Sequence, residues 1–121
     1  MGILSSVKNL LKSPSENCIK YISAEELNSK LVNKEKMILL DIREPYELKS
    51  GVGALKGVIN IPSGRLAANL NRINKDKEKN IIVICHSGAR AKGSARILLR
   101  NGFTNIDILS GGMIRYRRQG F

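Results

Sequence analysis

Cysteine and histidine are scarce in this sequence: Cys18, Cys85 and the single His86 are all that occur. With no Cys-x-x-Cys pair and no cysteine/histidine cluster, neither a disulfide framework nor a zinc site is expected. Tryptophan is absent, and the aromatic complement is three tyrosines and two phenylalanines. A protein that stacks nucleic-acid bases needs more, and no nucleic-acid motif is present. No apolar run approaches the roughly 20 residues needed to span a bilayer. Lys8 and Lys12 interrupt the apolar positions of the first dozen residues, so a secretory leader is not expected. A reducing cytoplasm is the expected setting, and Cys85 is expected to stay a free thiol there. Acidic residues are few, 10 against 21 Lys and Arg, for a net charge of +11. That balance favours anionic partners. The residues from Cys85 onward are basic at Arg90, Lys92, Arg96, Arg100, Arg115, Arg117 and Arg118 and acidic at Asp107 alone. The charge therefore gathers near the cysteine in sequence.

What the chain does have is an alternation of short apolar runs with helical patterns. "MILLD" (37–41), "GVINI" (57–61), "NIIVIC" (80–85) and "NIDIL" (105–109) are rich in Ile and Val and predict strands; "IKYI" (19–22) predicts a short edge strand. Ser23 followed by Glu26 forms a capping box for a helix with Leu27 and Leu31 on one face. "SGRLAANLNRI" (63–73) repeats the helical pattern at Leu66, Leu70 and Ile73. After Cys85, Ala91, Ala95 and Leu98 form one face and Lys92, Arg96 and Arg100 the other, and Asn101-Gly102 supplies a C-cap. Strands alternating with helices predict an α/β fold with a largely parallel sheet covered on both faces. Ligands bind beyond the carboxyl ends of such strands. Asp41 and Cys85 both fall there.

One domain is expected over 18–121, preceded at 1–17 by an amphipathic extension and linker. In "MGILSSVKNLLK", Ile3, Leu4, Val7, Leu10 and Leu11 share a helical face, suited to packing on the domain or to lying on a membrane surface or a partner.

The loop after Cys85 carries the chemistry. Free cysteines are often simply buried, small apolar residues. Here, however, the cysteine opens a polar, glycine-containing loop that leads through Arg90 into a helix. Backbone N–H groups in such a loop, with a helix N-terminus behind them, cradle an anion and favour a thiolate. Gly88 permits the turn, Ser87 can donate a hydroxyl, and Arg90 is a planar cation suited to sulfonate, sulfate or phosphate oxygens. The expected site is Cys85 as nucleophile with His86, Ser87, Gly88, Ala89 and Arg90 around the substrate. No metal or cofactor is called for.

"CHSGAR" (85–90) resembles the active-site loop of the single-domain rhodaneses, in which a catalytic cysteine begins a six-residue loop that often ends in arginine. "LLDIREPYE" (39–47) is similar to that family's Asp-x-Arg-x-x-x-Glu segment, "GVINIP" (57–62) to its Gly-Ala-x-Asn-Ile-Pro segment, and "NIDILSGGMIRYRRQGF" (105–121) to its terminal Leu-x-Gly-Gly segment. The resemblance runs in order over about 19–121. It implies a three-layer α/β/α domain with a mainly parallel five-stranded sheet. It also implies sulfur transfer from thiosulfate or another donor, through a Cys85 persulfide, to cyanide or a thiol acceptor, a protein thiol included. Asp41 and Arg43 then brace the loop, and His86 faces solvent. This chain departs from the pattern in "GVGALKG" (51–57), which lacks the usual histidine, and at Tyr116, where tryptophan is common.

Two other functions compete. Cell-cycle phosphatases and arsenate reductases of related fold use a loop one residue longer; here four residues separate Cys85 from Arg90, which favours sulfur over phosphate. A persulfide carrier that docks on a partner without efficient turnover shares the loading chemistry and differs in the acceptor.

Overall fold

The computed structural model describes residues 19–75 and 77–121, so the amphipathic segment 1–12 and Cys18 lie outside the described residues. Within them, the five strands fall in the predicted apolar runs, with helices or turns between them. Strand β1 (Ile19–Ile22) leads into helix α1 (Ala24–Val32), β2 (Ile38–Asp41), a four-residue helix α2 (Pro45–Leu48) and β3 (Ile59–Asn60). Strand β4 (Ile81–Ile84), helix α3 (Ala91–Arg100), β5 (Ile106–Leu109) and helix α4 (Gly112–Arg118) follow. All pairings are parallel, in the order β1-β5-β4-β2-β3. The first and last strands are neighbours, which closes the chain on itself.

β4 explains why the sheet has two covered faces. Its four residues, Ile81, Ile82, Val83 and Ile84, are fully buried. Alternate side chains point to opposite faces: Ile81 and Val83 join Ala91, Ala95, Leu98 and Phe103 on the α3 side, while Ile82 and Ile84 join Leu27, Met113 and Tyr116 on the side of α1 and α4. Each such side chain contributes about 1.5–3 kcal/mol on burial. The result is the expected three-layer α/β/α domain. No helix among the described residues is long and apolar enough to cross a membrane.

The helix signals read from sequence are realised at both ends. Ser23 Oγ accepts the Glu26 N–H at 3.1 Å, and Glu26 Oε1 accepts the Ser23 N–H at 3.2 Å. At the end of α3, Gly102 takes φ +91° and its N–H bonds the Leu99 carbonyl at 3.2 Å.

The stretch 63–73 departs from the predicted α-helix. It forms tight 3-10 turns at Ser63–Arg65 and Ala67–Arg72, interrupted by non-helical angles at Asn69. Asn69 Nδ2 donates to the Arg65 carbonyl at 2.8 Å, the acceptor that its own backbone N–H would use in an α-helix; that N–H bonds the Leu66 carbonyl instead. Side-chain competition of this kind is why asparagine breaks helices. Leu66 and Ile73 are buried all the same.

Candidate active site

Cys85 follows β4 directly, at the carboxyl edge of the sheet, and is a free, buried thiol. The next strand along in that direction, β2, ends at Asp41, paired in register with Ile84. The two sequence-predicted positions are thus brought to one edge. Gly88, at φ +102°, turns the loop so that its N–H donates to Cys85 Sγ at 2.9 Å. His86 is half-buried, whereas Ser87, Ala89 and Arg90 are exposed. Arg90 stands at the entry of α3 with helical angles and no side-chain cap, so the loop runs directly into the helix N-terminus.

The orientation of the loop is set from beneath by a segment that sequence periodicity did not mark as a helix. Met113 N–H donates to the Cys85 carbonyl at 2.9 Å, and Ile114 N–H to the His86 carbonyl at 3.0 Å. With those carbonyls held toward α4, the peptide groups of the loop present their N–H sides the other way. Gly111 and Gly112, both at positive φ, make this approach feasible: a Cβ on Gly112 would lie 2.5 Å from both carbonyl oxygens. The Leu-x-Gly-Gly signature therefore has a mechanical reason. The glycines allow a helix start to press against the cysteine loop.

Asp41 and Arg43 form a fully buried ion pair, with Arg43 Nε 2.9 Å from Asp41 Oδ1 and Nη2 2.7 Å from Oδ2. Arg43 also donates to the carbonyls of Glu47, at 3.3 Å, and Gly53, at 2.8 Å. These contacts reach the loop through an intermediary, Glu47. Its carboxylate receives both ends of the Arg90 guanidinium, Nη2 at 2.7 Å and Nη1 at 2.9 Å, and the Glu44 N–H at 2.8 Å. The Arg90 hydrogen bonds, foremost, hold the Glu47 carboxyl down to about 2, against 4.5 ordinarily. The same pairing raises the Arg90 guanidinium above its ordinary value. Glu47 closes the "LLDIREPYE" segment, where nothing local marks it for this role. Its partner lies 43 residues further on, beyond the reach of any local pattern.

These groups can stabilise negative charge on a sulfur and beside it. Among the described residues no His, Cys, Asp and Glu cluster able to hold a metal occurs, and the thiol, amide donors and guanidinium belong to one loop.

A family model described as the rhodanese-like domain matches residues 23–119. The chain belongs to the rhodanese-like family. A rhodanese-related protein from Thermoplasma volcanium has 27% identity and a TM-score of 0.71, covering 84% of this chain and 94% of that one. An NAD-dependent persulfide reductase from A. fulgidus has 30% identity and a TM-score of 0.62, covering 81% of this chain and 16% of that one. Among curated proteins, the tRNA uridine(34) hydroxylase of Yersinia enterocolitica is 31% identical over 103 residues, which are 82% of this chain and 29% of that protein. This rhodanese-like chain thus spans less than a third of the length of that relative. Sulfur transfer with persulfide chemistry is what the rhodanese-like family supports.

Proposed function

We infer that the protein is a sulfurtransferase that takes sulfane sulfur from thiosulfate, or a comparable anionic donor, onto Cys85 and passes it to a thiol or to cyanide. The single observation that carries this reading is the Gly88 N–H donating to Cys85 Sγ at 2.9 Å, within a loop whose carbonyls are held away by α4. In the first displacement the Cys85 thiolate attacks the outer sulfur of thiosulfate. An S–S bond forms, the S–S bond of the donor breaks, and sulfite leaves with the electron pair. The persulfide that remains bears its negative charge where the loop N–H groups can stabilise it. In the second displacement an acceptor thiolate, or cyanide, attacks that outer sulfur; Cys85 departs as thiolate and the site is restored. Two such displacements predict ping-pong kinetics.

Arg90 serves this scheme as an oriented donor at the mouth of the loop, with Glu47 as its positioning residue. The hydroxylase activity named for the Yersinia relative belongs to a far longer protein and is not assigned to this chain. Intact-protein mass spectrometry after thiosulfate treatment tests the proposal. The wild type should gain one sulfur atom and Cys85→Ser none, and a wild type that gains nothing would remove thiosulfate from the reading. Transfer of the label to small thiols then separates an enzyme from a carrier that unloads only on a partner.

A further inference from the structure

The cation of the catalytic loop is already matched by an acid. Arg90 lies in a two-bond pair with Glu47, so the net charge it offers to an incoming anion is small. A further cation lies on α4, separated from the loop by Gly111. Arg115 is exposed, and long side chains on a helix lean toward its N-terminus. That end of α4 is the Gly111-Gly112 turn beneath the cysteine loop. Arg115 lies back over it: a Cβ on Gly111 would be 2.6 Å from Arg115 Cβ and 2.7 Å from Arg115 Nε. The arginine thus fills the space that the glycine leaves. Gly111 in turn abuts Gly88, whose own Cβ would be 3.5 Å from Gly111 N, and Gly88 donates to the sulfur. Sulfur, Gly88, Gly111 and Arg115 form one contiguous series. Neither the Asp41–Arg43 pair nor the Glu47–Arg90 pair engages Arg115.

We propose that Arg115 is an anion-binding residue of this site, which draws the sulfonate end of the donor to the rim of the loop and selects anionic over neutral reagents. The proposal deepens the sulfurtransferase reading and rests on Cys85 as its nucleophile. Among the described residues no acid pairs with Arg115, so it acts on an approaching anion, while Arg90, locked to Glu47, acts through fixed geometry.

The test compares alkylation of Cys85 in the full chain by iodoacetate and by iodoacetamide, with peptide mass spectrometry to count Cys18 separately. Both reagents form the same S–C bond with loss of iodide; they differ in charge. At low salt, Arg115→Ala should lower the iodoacetate-to-iodoacetamide rate ratio roughly threefold, the effect of one unit charge several ångströms away in water-like dielectric. Added salt should shrink the difference between the variants. Arg100→Ala removes an equal charge at the far end of α3 and should leave the ratio unchanged. The KM for thiosulfate should rise in Arg115→Ala with kcat preserved. An unchanged ratio in Arg115→Ala, or an equal fall in Arg100→Ala, would overturn the assignment while leaving Cys85 as nucleophile. If thiosulfate does not load the wild type, the donor in the sulfurtransferase reading fails, and the alkylation ratio still decides whether Arg115 recruits anions.

Discussion

Gly112 offers the sharpest test of how the loop is held. Replacing it by alanine places a Cβ 2.5 Å from the carbonyl oxygens of Cys85 and His86 and 2.6 Å from the His86 carbonyl carbon. All three are backbone atoms, so no side-chain rotation relieves the clash. Carbon-to-oxygen contacts ordinarily stay beyond ~3.3 Å, so the loop has to retreat by roughly 0.8 Å. Retreat weakens the hydrogen bonds from Met113 at 2.9 Å and Ile114 at 3.0 Å, each contributing about 0.5–1.5 kcal/mol. Alanine at φ +60° costs a further 1–2 kcal/mol or so. The expected loss is therefore about 2–5 kcal/mol, read as a fall in the urea midpoint at constant slope. Gly93 is the matched control. It lies within α3 with nothing within 4 Å of its missing Cβ, so Gly93→Ala should stabilise by about 0.5–1 kcal/mol. A Gly112→Ala loss below about 1 kcal/mol would refute the view that α4 presses directly on the cysteine loop.

Three further outcomes follow from the polar contacts. Asp41→Asn leaves the Arg43 guanidinium, 0% exposed, without its counter-charge and should cost about 3–5 kcal/mol in the same assay. Glu47 titrates in the folded protein at about 2, below its ordinary 4.5. The unfolded chain therefore takes up the proton first, and the stability contributed by the pair is complete above about pH 4.5 and lost as pH falls toward 2. With Arg90 40% exposed, solvent screening limits that contribution to about 0.5–1 kcal/mol; Glu47→Gln should remove it and bring the acid limbs of the two unfolding curves together. Glu47→Gln should also lower kcat for thiosulfate more than Arg115→Ala does, since it releases the guanidinium from its fixed position, and equal kcat values would argue against positioning by Glu47.

Much of the architecture was legible because its signals are local. The apolar runs at 37–41, 80–85 and 105–109 are strands; the Ser23/Glu26 box and the Asn101-Gly102 cap bound the helices as read. The weaker spots have local causes too. Asn69 withdraws a carbonyl from the helix over 63–73, α2 is four residues long and too short to show a period, and α4 begins at Gly112 directly after Gly111, a pair that propensity reads as a loop.

Sequence by itself determined the parallel α/β class, the placing of Cys85 at a strand end, and the polar, glycine-containing loop that makes its sulfur a nucleophile candidate. Tertiary structure alone decided what holds that loop. Strand order sets β2 beside β4, so Glu47 meets Arg90; α4 turns back beneath the cysteine, so Met113 and Ile114 take the carbonyls of Cys85 and His86 and Arg115 lies back over Gly111. The physical reason is reach. Periodicity and capping act over a few residues along the chain, whereas ion pairing and close backbone approach depend on which distant segments packing brings within a few ångströms.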